Sequence, residues 1–337
     1  MVFVGVDLHK KTIVCCVVDQ RAIVLQRKTL LCLEPAKIVA FFRGLGTFQA
    51  VVEATASYEW LWRLLEPLAD RLVLAHPKKL RIIAESRRKS DRLDAQVLAE
   101  FLAKDEVPES YRPTPRQRQH RLLVRHRCYV RRRTAATRVK IRRILADSNA
   151  DRRDLFTGDG LAYLDAVTLP AADRFVVDQL LVDWQHQRRQ LRAVEAQLGE
   201  FARDAPAAEA EARAVLASVP GVGPVTVDVV LSEVADVRRF RSVKDVVAYA
   251  GLAPGFRESA GKRRALAITR EGSRLLRWAL VEAAWRLVRL TARWRTVYER
   301  LSHRRGKRKA IVAIARRLLT VLAAVWRSGQ RYRPAAV

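Results

Sequence analysis

Residues 2–31, VFVGVDLHKKTIVCCVVDQRAIVLQRKTLL, hold three strand-like runs in close succession. Val2 to Val6 is apolar, Thr12 to Val18 is rich in β-branched residues, and Ile23 to Thr29 follows across the polar break Asp19-Gln20-Arg21. Short polar turns between such runs predict an antiparallel meander. Beyond it, Pro35 to Leu45 reads as a helix, Ala50 to Glu53 as a short buried strand, and Ser57 to Leu68 as an amphipathic helix. Leu72 to Ala75 is a further strand, closed by His76-Pro77. From Ser90 to Leu102 the period is helical again, with Leu93, Val97, Leu98, Phe101 and Leu102 on one face.

The order βββαβαβα over residues 1–110 is that of a ribonuclease-H-like α/β domain. In that layout Asp7 ends the first, central strand and Glu53 ends a parallel neighbour. Asp91 and Asp94 are three apart, so on a helix they share a face. Four convergent carboxylates are an oxygen-only donor set suited to Mg²⁺, with Mn²⁺ as a substitute. Two such ions ~4 Å apart activate a nucleophile and stabilise the leaving oxygen of a phosphodiester. For Asp91 and Asp94 alone, neutralising Arg87, Arg88 and Arg92 or capping a helix is an equal alternative.

The charge points to the same substrate. Lys and Arg total 64 against 35 Asp and Glu in 337 residues, a formal net charge of +29. That balance favours polyanions through counterion release. A genome that writes Arg often would raise the total, but the cations are clustered. Residues 111–146 hold 13 Lys or Arg and no Asp or Glu, interleaved with Leu122, Leu123, Val130, Val139, Ile141 and Leu145. Residues 111–150 are therefore expected to be a helical nucleic-acid-binding segment, its contacts drawn from Arg121, Arg125, Arg131, Arg132, Arg133, Arg138, Lys140, Arg142 and Arg143. Hydrophobic content of 50% excludes a mostly disordered chain. Cys15, Cys16, Cys32 and Cys128 have neither C-x-x-C spacing nor a disulfide framework. Asp7 and Lys10 interrupt the N-terminal apolar run, and no apolar stretch nears the ~20 residues of a membrane span, so a cytoplasmic protein without a membrane partner is expected.

Val177, Leu180, Trp184, Gln187, Leu191, Val194, Leu198 and Phe201 alternate in threes and fours, which predicts a coiled-coil spacer or dimer contact over residues 170–205. A C-terminal domain over residues 211–330 opens with Ser218-Val219-Pro220-Gly221-Val222-Gly223-Pro224, a turn between helices that is similar to a helix-hairpin-helix element. Gly221 and Gly223 would let backbone N–H groups approach a phosphate, although a plain tight turn has the same residues. Further on, Gly251-Leu252-Ala253-Pro254 opens a predicted loop carrying Ser259, Gly261, Lys262, Arg263 and Arg264. Ser259 is either an ordinary loop residue or a nucleophile whose phosphate partner is steadied by those three cations. A covalent phosphoserine would conserve the phosphodiester energy, and the chain has no Walker A motif to supply ATP chemistry.

Together these segments resemble the DEDD transposases of insertion-sequence family 110 and its eleven-eleven branch. The resemblance covers nearly the whole chain. It rests on Val4-Gly5-Val6-Asp7, Glu53-Ala54-Thr55 with Tyr58, Lys89-Ser90-Asp91-Arg92-Leu93-Asp94-Ala95, Pro220-Gly221-Val222-Gly223 and Tyr249-Ala250-Gly251-Leu252-Ala253-Pro254. Ser259 with Gly261, Ile268-Thr269, Gly272 and Leu276-Arg277 complete it. It implies a RuvC-like domain whose Asp7, Glu53, Asp91 and Asp94 bind Mg²⁺, and a C-terminal domain whose Ser259 joins covalently to DNA. It implies a structured non-coding guide RNA that selects donor and target DNA, and a homodimer or homotetramer acting at the nucleoid of a bacterial cell. The chain departs from the family pattern at Ala260, Ala267 and Arg270. The competing readings are a RuvC-like nuclease or Holliday-junction resolvase that uses water, and a non-catalytic nucleic-acid-binding scaffold.

Overall fold

The computed structural model describes residues 1–55, 57–80, 95–259 and 262–334. The chain divides into two compact units, Met1–Arg112 and Pro113–Val337.

The first unit is a five-stranded sheet covered on both faces. Strands β1 (Val2–Leu8), β2 (Thr12–Val18) and β3 (Val24–Leu31) form the predicted antiparallel meander. Helix α1 (Pro35–Gly44) leads to β4 (Phe48–Glu53), and α2 (Glu59–Leu65) to β5 (Arg71–Ala75); both strands run parallel to β1. Helical crossovers of this length impose parallel pairing. The sheet order is β3-β2-β1-β4-β5, which places β1 at the centre. Strand alternation then sorts the side chains. Val4, Val6 and Leu8 pack with Ile13, Cys15, Val17, Ile38, Phe42, Leu61 and Leu65 on the α1–α2 side. The other face meets α3 (Ala95–Ala103), through Phe3, Val51, Val73, Val97, Leu98 and Phe101. Two buried faces explain why β1 reads as a continuous apolar run rather than an alternating one. Strand β3 begins one residue later and ends two residues later than its apolar run, after a bulge at Val17/Val18 and a left-handed turn at Ala22.

The second unit is mainly helical. Its longest members are α4 (Pro115–Asp147) and α6 (Ala171–Arg203), with the short α5 (Gly158–Ala166) between them. Thr114 caps α4 through a capping box with Gln117, and Pro115 sits in the first turn where it loses no hydrogen bond. The heptad stripe of α6 finds its partner inside the chain. Val177 and Leu181 cluster with Ile141 and Leu145 near one end of the pair, while Leu198 joins Val124 near the other. Between them Thr137 Oγ1 donates to Gln187 Oε1 at 3.2 Å. The helices therefore run antiparallel. The segments expected to be a nucleic-acid arm and a separate spacer are two arms of one helical pair, because the apolar residues of α4 lie on one side and complete the stripe of α6.

Helices α7 (Ala207–Ala217), α8 (Pro224–Val234), α9 (Val243–Tyr249), α10 (Arg274–Leu290), α11 (Ala292–Arg305) and α12 (Lys307–Ser328) make a bundle. Its core includes Leu216, Val229, Leu276, Leu280, Leu287, Ile314, Leu318 and Leu322. Beside it lies a buried polar network. His120 Nε2 is 2.9 Å from Asp228 Oδ1, Arg213 donates to Asp228 at 2.7 Å and to Glu209 at 2.8 Å, and Arg116 donates to Glu209 at 2.6 Å. Burial alone would raise the Asp228 and Glu209 carboxyl groups. Hydrogen bonds from His120 and Arg213 to Asp228, and from Arg116 and Arg213 to Glu209, outweigh it and hold both below the ordinary carboxylate range. A carboxylate with a lowered folded pKa contributes stability that is complete above its unfolded pKa and is lost as pH falls through the folded value. Urea unfolding should therefore show stability falling below pH ~4. Asp228→Asn should cost about 3 kcal/mol near neutral pH and reduce that acid dependence, because it leaves Arg213 in a buried, half-paired network.

Candidate active site and nucleic-acid interface

The register of β1 on β4 pairs Val6 with Val52. One residue further, Asp7 and Glu53 stand side by side on adjacent parallel strands, whose backbones are ~4.8 Å apart. Alternation puts Asp7 on the face of Phe3 and Gly5, and Glu53 on the face of Val51. That face is covered by α3. The Asp7 side chain is 25% exposed, and its Oδ2 lies 3.2 Å from Nε2 of His9 at the start of the turn to β2. Among the described residues no group of three His, Cys, Asp or Glu is placed to hold a metal ion. Asp91 and Asp94 lie outside the described residues. The described chain begins again at Ala95, the first residue of α3 and the next in sequence after Asp94.

Gly5 sets the distance of that helix from the sheet. A Cβ on Gly5 would collide with Ala95 O, reach Ala99 N at 2.5 Å and Leu98 Cβ at 2.9 Å. The start of α3 is thus pressed onto β1 two residues before Asp7. Asp7 and Glu53 thus stand on adjacent strands on the face that α3 covers, and carboxylate oxygens are donors of the kind a hard divalent cation takes.

The predicted loop around Ser259 is instead a hairpin. Strand β6 (Pro254–Ser259) pairs with β7 (Lys262–Ile268), with Ser259 opposite Lys262, Glu258 opposite Arg263 and Arg257 opposite Arg264. Ser259 is therefore the last residue of β6 and Lys262 the first of β7. The base of the hairpin is held by an interlocked turn. Thr269 N donates to Ala253 O at 3.0 Å and Arg270 N to Gly251 O at 3.1 Å. Gly251 has φ +66° and Gly272 φ +75°; a Cβ on the first would strike Glu271 O, and on the second Tyr249 O. Arg277 Nη1 donates to Glu271 O at 2.6 Å and Ala250 O at 3.0 Å. Burial, then the charges of Arg274 and Arg270, lower the Arg277 pKa. Only glycine tolerates both the left-handed backbone and the close approach at these two positions.

The basic helix splits into two groups. Arg125 makes a bidentate pair with Glu233, at 2.9 and 3.0 Å, and that carboxylate is 2% exposed. Arg121 donates to Ser232 O at 2.9 Å, and Arg142 to Asp151 Oδ1 at 3.0 Å and Arg153 O at 2.9 Å. These three cations hold α8 and the turn before α5 through those bonds. Arg131, Arg132, Arg133, Arg138, Lys140 and Arg143 are exposed. Helix geometry makes the division: α4 gives one side to α6 and α8 and leaves the other to solvent.

Gly221 and Gly223 also separate. Gly221 has φ +80°, and a Cβ there would lie 2.7 Å from Leu287 N of α10. It permits a close crossing with α10, where a side chain would not fit. Gly223 is the N-cap of α8 and borders a cleft of about 180 Å³. Arg127 and Arg131 from α4 and Trp278 and Arg286 from α10 line it as well. Arg127, Trp278 and Arg286 carry no sequence motif; only the crossing of α4, α8 and α10 brings them together.

Comparison with known proteins covers both units. A family profile for DEDD transposases of the IS110 group matches residues 4–149, and one described as "Transposase IS116/IS110/IS902 family" matches residues 213–299. A "Probable family 20 transposase" of Pseudomonas aeruginosa is 27% identical over 98% of both chains. The "Transposase for insertion sequence element IS1111A" of Coxiella burnetii is 24% identical over 98% of this chain and 90% of its own. A "Pilin gene-inverting protein" of Moraxella bovis is 26% identical over 88% of this chain and 85% of its own. With one profile on the sheet unit, a second on the helical unit and relatives matching end to end, the chain belongs to the IS110/IS116/IS902 family of transposases.

Proposed function

We propose that this transposase cuts and rejoins DNA strands through a composite site: Asp7, Glu53, Asp91 and Asp94 on a ribonuclease-H-like domain, and Ser259 on the helical unit. The observation that carries the reading is the placement of Asp7 beside Glu53 on the face covered by α3, whose first residue, Ala95, follows Asp94 in the sequence. The central position of β1 in the order β3-β2-β1-β4-β5 supports the ribonuclease-H-like assignment. The relatives that invert pilin genes support rearrangement of DNA rather than simple hydrolysis. When bound, Mg²⁺ would supply Lewis-acid stabilisation of charge on the phosphate oxygens. The Ser259 hydroxyl attacks phosphorus; an Oγ–P bond forms as one P–O bond of the strand breaks, and the departing strand end leaves as a hydroxyl. Attack by a hydroxyl end on the phosphoserine reverses the step and rejoins DNA. A structured non-coding RNA guides the choice of donor and target, and a homodimer or homotetramer supplies the serine and carboxylates together. Residues 131–133, 138, 140 and 143 of α4 hold nucleic-acid phosphates, and Lys262, Arg263 and Arg264 steady the attacked one.

The test is a denaturing gel after incubation with cognate DNA, guide RNA and Mg²⁺. Wild type should leave a protein–DNA adduct and Ser259→Ala should leave none, with strand cleavage reduced at least ~10³-fold. Free hydrolysed ends without an adduct in wild type would refute the serine mechanism.

A further inference from the structure

On the solvent side of α4, three flat side chains follow one another at helical spacing. The rings of His126 and Tyr129 are stacked, with centroids 6.2 Å apart and planes at 27°. The Arg133 guanidinium lies 5.6 Å from the Tyr129 ring centre. Tyr129 is 55% exposed, and His126 and Arg133 are exposed too. Leu122, one turn before His126, is exposed as well and extends the column toward the start of the helix. The buried face of the helix, with Val124, Val130, Thr137 and Ile141, runs alongside this column, whose own three side chains are all exposed. With 55% of Tyr129 exposed beside His126 and Arg133, on a helix with no acidic residue from 111 to 146, the outer surface of the column is open to the bases of a polyanion.

We propose that His126, Tyr129 and Arg133 form a stacking platform for unpaired bases of a single-stranded or looped nucleic acid, with Arg131, Arg132 and Arg138 on its phosphates. This rests on the nucleic-acid role of α4 proposed above and names what kind of strand the helix takes. In a duplex each base has both faces covered by its neighbours, and a side chain on a helix finds no π surface to stack on. An unpaired base presents one. A guanidinium above the ring adds a cation to the same column, which a base stacks on as readily as on an aromatic ring. The pattern offers stacking without an array of base-edge acceptors and donors, so it selects for unpaired strands rather than for sequence.

The test measures fluorescence anisotropy of the full-length protein with labelled 20-nucleotide strands of mixed sequence, as single-stranded RNA, single-stranded DNA and DNA duplex. Tyr129→Ala should weaken single-strand binding about 5- to 100-fold and duplex binding less than about 2-fold. Tyr129→Phe keeps the ring and should stay within about 2-fold of wild type on all three. Arg131→Gln should weaken all strands and lower the salt dependence by about one ion, whereas Tyr129→Ala should leave that dependence unchanged. A loss confined to RNA or to DNA single strands identifies which one the platform serves. Equal losses on single strands and duplex, or no loss on either, would overturn the platform while leaving the basic face intact. If wild type binds none of the three, the nucleic-acid role of α4 itself fails. Tyr129→Leu, apolar but not aromatic, gives the same readings should the alanine variant fold poorly.

Discussion

Asp7→Asn should abolish strand cleavage and adduct formation, a fall of at least ~10³-fold, while leaving the fold in place. The substitution is nearly isosteric and removes one unit of negative charge from the edge where Asp7 and Glu53 stand together. An amide oxygen is a far weaker ligand for a hard cation than a carboxylate, so the site loses affinity as well as charge balance. The Asp7 side chain is a quarter exposed at the end of β1, and its removal leaves no cavity. Thermal unfolding without metal should therefore match wild type. A second readout separates metal loss from other causes: millimolar Mg²⁺ or Mn²⁺ should raise the melting temperature of wild type but not of Asp7→Asn. Cleavage retained at a tenth or more of the wild-type rate would remove Asp7 from the site.

Gly5→Ala should be the most disruptive single methyl group in the first unit. The added carbon meets backbone atoms of α3, which cannot rotate aside as a side-chain tip would. Either α3 lifts from β1 or the strand shifts, at a cost of about 3 kcal/mol. Faster limited proteolysis within residues 1–112, with the helical unit still protected, would report it. Activity should fall with stability, because the start of α3 sits two residues from Asp7 along the sheet. A variant with wild-type stability would show that α3 does not rest on Gly5.

Much of the sheet unit was legible in order and type. The strands and helices of residues 2–75 follow apolar runs and turn residues, and their bounds differ from the pattern by at most three residues. Both faces of β1 are buried, so its strand character was clear from composition even though no alternation marks it. The helical unit was legible only element by element. The stripe of α6 announces a helical partner, but a heptad is equally satisfied by a second copy or by another segment. That choice fell to α4, whose apolar residues complete the seam within the chain. The sequence of β6 and β7 reads as a loop because Arg257, Glu258, Lys262, Arg263 and Arg264 gather at the facing ends of the two strands, with no apolar–polar alternation there.

The candidate site divides along the same line. Asp7 and Glu53 were legible because each ends a strand, and strand ends on a parallel sheet line one edge. The separate tasks of the arginines were not. Arg125 and Arg131 look alike in the sequence, yet one neutralises the buried carboxylate of Glu233 and the other faces solvent. Gly221 and Gly223 look alike too, yet one admits the backbone of α10 and the other caps α8. Local patterns are enough to specify strands, helices, turns and total charge, because those depend on neighbours within a few residues. Which cation is spent on the fold, which glycine sits at a crossing and which aromatic ring stays open depend on contacts made by residues some hundred positions apart. Those belong to the packed chain.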